Sequence, residues 1–348
     1  MNSSTPLITV MVLCYNYGHL LHRALEAIGA QSFSDYELLF IDNGSTDNSK
    51  QVFEEFCQKH PELNTRYMLV SPNQGPTHGW NMGLQQAHGE YVMFHDADDW
   101  MGPNCLEVLG NAARETGADR ITGQYQEALP DGTVQRVRHL AVNKKSCIVT
   151  PMMQGVIFKR EIIQQNGIIL PENMVGPYDA YMTFRFAAVE KTVPVFIKTT
   201  IYNYMINPDS ICRTYEKAQK TSSDELVMYQ KFHRPLIDAA EWCIPYISQK
   251  DVYQQMEYLA LRNSYAAIVA GYRIYSINTA NLIYSMLSKD LERVFPEYKK
   301  NPYINPIGNG FELAGSLAVW GLIMADRIGI LHLVMKLYSI IARASGKV

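Results

Sequence analysis

Three carboxylates follow an apolar segment in the first hundred residues. The run is Phe94-His95-Asp96-Ala97-Asp98-Asp99, and the preceding segment, Glu90–His95, has the composition of a strand. Closely spaced carboxylates at a strand end repel one another, so they need a cation or hydrogen-bond donors to offset their charge. Mg²⁺ and Mn²⁺ typically take one or two protein carboxylates together with diphosphate oxygens. The alternative is a solvated acidic loop in which Asp99 only caps a helix.

The elements that position these carboxylates follow from the hydrophobic pattern. Four short apolar segments predict buried strands separated by helices: Leu7–Cys14, Tyr36–Ile41, Arg66–Ser71 and Glu90–His95. Such alternation predicts a parallel sheet with helices on both faces, which binds ligands at the carboxyl ends of its strands. Polar clusters follow three of these strands, at Asn16–His19, Asp42–Asp47 and Asp96–Asp99. We expect them to converge on one edge of the sheet.

Three local features are also expected from the sequence. Ser45 or Thr46 should cap the helix that follows the second strand. A hairpin is expected around Pro130-Asp131-Gly132. His95 should be a core residue, or lie behind the site, rather than act as a ligand.

Leu7 to Trp100 resembles the inverting, family-2 type of glycosyltransferase with the GT-A fold. The similarity lies in elements that occur in the family's order and spacing, namely Tyr15-Asn16, Gln31-Ser32-Phe33, Asp42-Asn43-Gly44-Ser45-Thr46-Asp47, Asn73-Gln74-Gly75, Asn81-Met82-Gly83, His88-Gly89-Glu90-Tyr91 and Asp96-Ala97-Asp98-Asp99-Trp100. The resemblance implies an α/β fold with a mixed, mostly parallel Rossmann-like sheet, helices on both faces and a C-terminal helical appendage. It also implies metal-dependent transfer of a sugar, with inversion, from a nucleotide sugar to an acceptor hydroxyl.

Roles for individual residues follow from the same resemblance. Donor binding is expected of Tyr15, Asp42, Asn73, Asn81, Asp96, Ser210 and Arg213. Asp42 would bind the pyrimidine ring, uracil in a UDP-sugar, and Tyr15 would line that pocket. Asp96 would contact the ribose or the sugar, and Asp98 would hold Mn²⁺ or Mg²⁺ under the diphosphate. The chain departs from the family where it has Asn43 in place of a second Asp and Trp80 in place of a common Arg, which leaves the base and sugar preferences open.

The resemblance places the catalytic base in the middle of the chain. The family's base is an Asp in a Glu-Asp pair before an apolar helix, and this chain has Tyr178-Asp179 followed by Arg185. Asp179 is therefore the expected base, although Tyr178 replaces the Glu and a helix-capping role for Asp179 is the alternative. Ser210 and Arg213 lie in a segment that resembles the family's loop over the diphosphate. A surface loop with no catalytic role is equally compatible with that segment.

The predicted domain organisation has a boundary where the composition becomes helical and rich in Tyr, Met and Leu. A GT-A catalytic domain is expected over residues 1–213, with a nucleotide-sugar half at 1–104 and an acceptor-side half at 105–213, and a helical region over 214–348. The C-terminal segment Phe311–Ala344 has two apolar helical stretches broken near Asp326-Arg327. A membrane-surface helix, packing against the rest of the chain and a homodimer contact are the three hypotheses for it.

Composition narrows the functional class and the compartment. The 348 residues carry a net charge of −3, so no excess of Lys and Arg points to a nucleic-acid partner. Six widely spaced cysteines without a CxxC pair are typical of reduced thiols in a cytoplasmic protein. Residues 1–6 lack basic residues, which argues against a signal peptide. The longest apolar stretch, Leu313–Ala325, is shorter than the ~20 residues that span a bilayer.

Four other functions compete with the transferase. A phosphatase with an acidic DxDx(T/V) loop does not fit, because position 100 is Trp. A dinucleotide oxidoreductase would need a G-x-G-x-x-G after a strand, and none is present. A nucleotidyltransferase would need a basic, Gly-rich loop after the first strand, where the chain has Tyr15-Asn16-Tyr17-Gly18. The last alternative is a catalytically inactive carbohydrate- or nucleotide-binding protein of the same fold, which the departures at Asn43 and Tyr178 would favour. The leading prediction is transfer from a UDP-sugar to a saccharide or lipid-linked saccharide.

Overall fold

The computed structural model describes residues 5–138, 152–172, 174, 177–207, 229, 234–307 and 313–344. The chain forms two compact units. The first comprises Met1–Leu140, Met152–Met174 and Val189–Asn207, and the second comprises Ala141–Pro151, Val175–Ala188 and Pro208–Val348. The first unit contains the sheet, and the second is helical in its described part.

The first half of the sheet is a parallel, doubly wound arrangement. Its elements in chain order are β1 (Ile8–Cys14), α1 (Gly18–Gly29), β2 (Tyr36–Asp42), α2 (Ser49–Lys59), β3 (Thr65–Leu69), α3 (Pro76–Gln86) and β4 (Tyr91–Asp96). The strands lie in the order β3-β2-β1-β4, and each neighbouring pair is parallel. β1 and β2 are buried almost throughout, as near-continuous apolar strands covered on both faces must be.

The rest of the first unit makes the sheet mixed. Its elements are β5 (Trp100–Met101), α4 (Cys105–Thr116), β6 (Arg120–Ala128), β7 (Val134–Arg138), β8 (Val156–Lys159), α5 (Arg160–Gln165) and β9 (Val195–Met205). β8 lies antiparallel between β4 and β6, β9 runs parallel to β6, and β5 pairs antiparallel with β9. β7 returns along β6 as the hairpin predicted around Asp131. The predicted fold class is confirmed.

The strand register brings the polar clusters together. In the parallel ladder, Cys14 of β1 pairs with Asp42 of β2, and Leu13 of β1 pairs with Asp96 of β4. All three strands therefore end at the same edge, with β1 between the other two. The loops that follow them, which begin at Tyr15, Asn43 and Ala97, start side by side, as the sequence predicted.

The second unit is built from helices. They are α6 (Tyr178–Ala187), α7 (Pro235–Cys243), α8 (Lys250–Ile274), α9 (Ile277–Val294), α10 (Leu313–Arg327) and α11 (Leu331–Ala344), with 3₁₀ turns at Ile244–Tyr246, Tyr298–Lys300 and Pro302–Ile304. The predicted domain boundary at 213/214 lies outside the described residues. The structure groups α6 with the C-terminal helices because α6 packs on α7, where the Cys243 thiol approaches the Tyr181 carbonyl at 3.8 Å. Among the described residues, no helix is both long and apolar enough to cross a bilayer.

Candidate active site

The loops after β1 and β2 are held to each other by side-chain hydrogen bonds. The Asn16 side-chain oxygen accepts from the Thr46 amide at 2.7 Å, and the Asn16 amide donates to the Ser45 hydroxyl at 3.1 Å. Asn16 has a φ of 57°, a left-handed conformation that Asn tolerates better than most residues. Asp47 adds a third link, because its carboxylate accepts from the Gly18 amide at the start of α1, at 2.9 Å.

The start of α2 differs from the sequence prediction. Ser45 or Thr46 was expected to cap this helix, but α2 begins at Ser49, after Asn48, because Ser45 and Thr46 bond to Asn16 instead. The first turn is held by Asp47, whose carboxylate accepts from the Ser49 amide at 3.0 Å and from its hydroxyl at 2.6 Å. Burial pushes the pKa of Asp47 up, but these hydrogen bonds and the one from Gly18 outweigh it, so the net pKa lies below 3.8.

Asp42, the expected pyrimidine contact, lies at the end of β2 and is 2% exposed. One carboxylate oxygen accepts from the Ser45 amide at 2.8 Å, and the other accepts from the Tyr67 hydroxyl at 2.9 Å. Burial and this hydrogen bond raise the pKa of Tyr67, which therefore stays a donor at neutral pH. Tyr15 follows the neighbouring strand and is 44% exposed, so part of the residue is accessible to a ligand. The pyrimidine contacts of Asp42 and Tyr15 stay predictions.

The departure from the family at Asn43 has a structural explanation. The buried Asn43 amide nitrogen donates to the Asn73 side-chain oxygen at 3.3 Å and to the Gly75 carbonyl at 3.1 Å. The Asn73 oxygen also accepts from the Gly75 amide at 2.7 Å. An Asp at position 43 would place a carboxylate against two acceptor oxygens, so the amide suits this turn. Asn73, an expected donor-binding residue, is thereby held next to the end of β2.

Asn81 is bonded to the main chain of a distant segment. Its amide nitrogen donates to the Leu170 carbonyl at 2.7 Å, and its oxygen accepts from the Leu170 amide at 2.9 Å. The side chain is 7% exposed. The expected contact of Asn81 with the donor stays a prediction. Trp80, at the other departure from the family, is a buried core residue that packs edge-on against Phe94, with ring centroids 5.1 Å apart.

The acidic cluster is oriented by neutral amides. Gln154, which precedes β8, donates to Asp96 Oδ2 at 2.7 Å, and Asn207, which follows β9, donates to Asp98 Oδ2 at 3.0 Å. Both carboxylates are half-buried. Because amide donors carry no net charge, these bonds fix the orientation of Asp96 and Asp98 without neutralising them.

Asp99 has a structural role in the same turn. It is buried, and its Oδ1 accepts from the Met205 amide at 2.7 Å, which ties the acidic turn to the end of β9. His95 is also fully buried, with Nδ1 2.8 Å from the carbonyl oxygen of Asp96 and its ring edge-on to Tyr202. Burial lowers the pKa of His95 to about 4. His95 is therefore a neutral core residue, as the sequence predicted.

The electrostatics of the cluster favour a bound cation. Burial, followed by the charge of Asp98, raises the pKa of Asp96 to about 6, and burial also raises the pKa of Asp98. Within the described part of the chain, no three His, Cys, Asp or Glu side chains are grouped to hold a metal by themselves. Mg²⁺ and Mn²⁺ sites that share a diphosphate use only one or two protein carboxylates. Two carboxylates that neutral amides orient, as far as the described residues show, therefore fit such an ion.

Comparison with known proteins decides the family. The model of the family described as glycosyl transferase family 2 matches residues 9–192, more than half of the chain. The chain belongs to glycosyl transferase family 2. It is 22% identical over 326 residues to the glycosyltransferase YibD of Escherichia coli K12, covering 82% of this chain and 93% of YibD. It is 24% identical over 208 residues to the poly(ribitol-phosphate) beta-glucosyltransferase of Bacillus spizizenii, covering 58% and 32% of the two chains.

Solved structures confirm the GT-A fold of this glycosyltransferase. S. aureus TarS 1-349 in complex with UDP-GlcNAc superposes with a TM-score of 0.69 and 17% sequence identity, covering 93% of this chain and 92% of TarS 1-349. The mannosyltransferase PcManGT from Pyrobaculum calidifontis, in complex with GDP-Man and Mn²⁺, gives a TM-score of 0.51 at 16% identity. At these identities the likeness establishes the fold alone.

Asp179, the expected base of the glycosyltransferase, lies in the first turn of α6 in the second unit. It is half-buried, and its carbonyl accepts from the Thr183 hydroxyl at 2.8 Å. Further along α6, Arg185 is 3% exposed, and its guanidinium lies 3.4 Å from the centroid of the Tyr246 ring. The role of Asp179 as base stays a prediction. Ser210 and Arg213 lie outside the described residues.

Three residues of the candidate site were not predicted as site residues. Gln154 and Asn207 orient the acidic cluster, and Tyr67 bonds Asp42. Gln154 lies two residues before β8, and Asn207 lies in the segment before Ser210 that resembles the family's loop over the diphosphate. Those segments were the available signals, but neither indicates which carboxylate the amide contacts.

Proposed function

We propose that this glycosyltransferase moves a sugar from a UDP-sugar to a hydroxyl of a saccharide or lipid-linked saccharide, with inversion and with Mn²⁺ or Mg²⁺. The observation that carries the proposal is the strand register that sets the loops of Tyr15, Asp42 and Asp96–Asp98 side by side. A pyrimidine nucleotide has its base, ribose and diphosphate in that order, and these loops offer an aromatic ring, an acceptor and carboxylates.

The donor pocket is proposed from Tyr15, Asp42 and Asn73. Asp42 and Asn73 are held by main-chain and side-chain partners, so they are ordered before a nucleotide arrives. Such preorganisation limits the entropy that binding costs. The complexes of TarS with UDP and with UDP-GlcNAc support a uridine donor. Asn81 is proposed to contribute indirectly from α3, through the two hydrogen bonds by which it holds the main chain of Leu170.

The metal is proposed to bind at Asp98, with Asp96 beside it on the ribose or sugar. A bound Mn²⁺ or Mg²⁺ would supply positive charge for the leaving diphosphate. The chain's own contribution is to hold the two carboxylates through Gln154 and Asn207. The Mn²⁺ complex of PcManGT supports a divalent ion in this fold.

Inversion is proposed to occur by direct displacement. The acceptor hydroxyl attacks the anomeric carbon on the face opposite the diphosphate, the C–O bond to the diphosphate breaks, and the hydroxyl proton passes to the carboxylate of Asp179. Ser210 and Arg213 are proposed to contact the diphosphate as the site closes.

The acceptor class implies a setting in polysaccharide biosynthesis. We place the reaction in the cytoplasm, on the inner face of the membrane when the acceptor is lipid-linked. The four described cysteines, Cys14, Cys57, Cys105 and Cys243, are free thiols, which supports a reducing compartment. Contact with the membrane, or a homodimer, through the C-terminal helices completes the proposal.

Release of nucleoside diphosphate tests the proposed reaction. UDP- and GDP-sugars are incubated with the full chain and Mn²⁺, with and without EDTA, and release of UDP or GDP is measured. We expect UDP release that EDTA abolishes and that Asp98→Asn reduces by about 100-fold or more, as for other preorganised charge-stabilising groups. Asp131→Asn is the matched control, because Asp131 is an exposed hairpin carboxylate whose bond to the Thr133 amide, at 2.8 Å, an Asn can keep.

Other outcomes of that assay would reject the proposal. Nucleotide binding without release of UDP or GDP would favour an inactive binding protein of the same fold. Phosphate release from simple monoesters would favour a phosphatase. Equal activity of Asp98→Asn and Asp131→Asn would remove Asp98 from the mechanism.

A further inference from the structure

The last two helices expose an unusual amount of apolar surface. Ten large apolar side chains between residues 317 and 341 are exposed: Leu317, Trp320, Ile328, Ile330, Leu333, Val334, Leu337, Tyr338, Ile340 and Ile341. The rest of the second unit, within its described residues, exposes four such side chains: Trp242, Tyr246, Leu282 and Ile307. Contiguous apolar patches of this kind mark interaction sites. We call these ten residues the α10–α11 face.

The α10–α11 face stays exposed although both helices pack against the rest of the second unit. α11 contacts α8 and α9, and it buries only a narrow strip at four-residue spacing, consisting of Leu331, Met335 and Ser339. The apolar side chains on the other side of the helix are exposed, and Ile341 is 66% exposed. A helix whose apolar surface extends well beyond its buried strip is expected to contact a second apolar environment.

The charge around the face is positive. Asp326 is the one acidic residue between positions 313 and 344 of the sequence. Its carboxylate accepts from the hydroxyl of Tyr265 at 2.7 Å and from that of Tyr284, so it is turned toward α8 and α9. Arg327 and Lys336 are exposed next to the face. The outward charge of α10 and α11 is therefore cationic.

A cavity at the edge of the face is lined with further cations. It has a volume of about 570 Å³, and its lining includes Lys299, Lys300 and Arg327 beside the indole of Trp320. Each lysine has an acidic neighbour, Glu292 at 3.6 Å from Lys299 and Glu297 against Lys300. All four of these side chains are well exposed, and exposed ion pairs of this kind contribute little free energy. The lysines are therefore available to an anionic group that enters the cavity.

We propose that the α10–α11 face lies flat on an anionic membrane surface, with a lipid phosphate in the cavity formed by Lys299, Lys300 and Arg327. An apolar helix face bordered by Lys and Arg, with Trp at its edge, is the composition of helices that lie in the bilayer interface. A symmetric homodimer through the same face fits less well, because both subunits would contribute the same cationic border, and the carboxylate of Asp326 is turned away from it. The proposal concerns the second unit and is independent of the donor site.

Vesicle flotation tests this assignment. The full chain is mixed with vesicles of phosphatidylcholine alone, or with about one third phosphatidylglycerol, at low and high salt. We expect flotation with the anionic vesicles that weakens as salt rises, because polybasic contacts with anionic lipids are screened. The double substitution Leu337→Glu and Ile341→Glu should lower the partition coefficient at least tenfold, since it places two charges in the apolar layer. Leu282→Glu is the control, because Leu282 is an exposed leucine of the same unit outside the face.

Charge reversal at the cavity tests the second part. Lys300→Glu with Arg327→Glu should remove the preference for anionic vesicles, whereas inorganic phosphate at millimolar concentration should leave flotation of the wild type unchanged. Far-UV circular dichroism and the unfolding midpoint establish that each variant is folded. Three results overturn the proposal. The first is no flotation of the wild type, and the second is equal flotation of Leu337→Glu/Ile341→Glu and Leu282→Glu. The third is a chain that binds no vesicles and forms a stable dimer, which Leu337→Glu dissociates.

Discussion

Replacement of Asn81 by leucine separates a structural role from a contact with the donor. The Asn81 amide makes two hydrogen bonds to the main chain of Leu170, at 2.7 and 2.9 Å, across 89 residues of sequence. Leu170 is fully buried. Leucine has the same branched shape as asparagine and is larger, so Asn81→Leu removes both hydrogen-bonding groups without opening a cavity.

The structure sets the size of the effect. Two neutral hydrogen bonds contribute about 1 kcal/mol each, and the buried N–H and C=O of Leu170 left without partners cost about 1–3 kcal/mol each. Partial solvation and relaxation recover some of this, so we expect the segment around Leu170 to be destabilised by about 2–4 kcal/mol. Because about 1.4 kcal/mol corresponds to a factor of ten, the equilibrium constant for opening of this segment should rise by about 30-fold to 1,000-fold.

Hydrogen exchange at the Leu170 amide measures this directly and does not require two-state unfolding of the whole chain. We expect exchange of that amide to accelerate by the same factor in Asn81→Leu. Asn111→Leu is the matched control, because Asn111 is an exposed residue of α4. UDP affinity, measured on the same samples, should change by less than about threefold at temperatures where the segment stays closed.

The opposite pattern would refute this reasoning. If Leu170 exchange is unchanged in Asn81→Leu while UDP binds tenfold more weakly, the two hydrogen bonds do not hold the segment. Asn81 would then act on the donor directly.

Three further predictions test the packing, the loop after β2 and the donor pocket. Gly89→Ala should destabilise the first unit by more than about 2 kcal/mol in denaturant unfolding, because a Cβ there lies 2.4 Å from the Thr9 nitrogen, whereas Gly321→Ala, with nothing within 4 Å, should not. Asp47 has its pKa held below 3.8, so its charged form stabilises the fold above that pH and ceases to do so as the pH falls through the folded-state value. The difference in unfolding free energy between wild type and Asp47→Asn should therefore be constant from about pH 7 to 5 and should shrink below about pH 4. A difference that widens on acidification would contradict this. Tyr15→Ala should raise the Kd for UDP about tenfold in calorimetric titration if the ring stacks on the base, and an unchanged Kd would exclude such stacking.

The part of the fold that positions the site was predictable from local pattern. Near-continuous apolar segments such as Ile8–Cys14 and Tyr36–Asp42 indicate strands buried on both faces, and their parallel register places their ends together. The acidic turn needed no long-range information, because Asp96 and Asp98 follow one of these strands directly. Chemistry that depends on strand ends is therefore visible in the sequence.

The partners of those residues were not predictable, since they come from distant positions. Gln154 is 58 residues from Asp96, and Asn207 is 109 residues from Asp98. No local pattern indicates which amide in a long chain meets which carboxylate. The misplaced start of α2 has a related cause, because Ser45 and Thr46 are good capping residues that bond to Asn16 instead.

Because Gln154 and Asn207 are neutral, ligands of the acidic cluster can be identified without an acceptor. Folding by itself leaves the repulsion between Asp96 and Asp98 in place, so any cation or cation–nucleotide pair that settles there favours the native state over the denatured one. The melting temperature therefore reports how much of the acidic site is occupied. Sugar nucleotides, each tested with and without manganese, can be ranked by how far they raise the melting temperature. The identity of the donated sugar is thus accessible before the molecule that receives it is known.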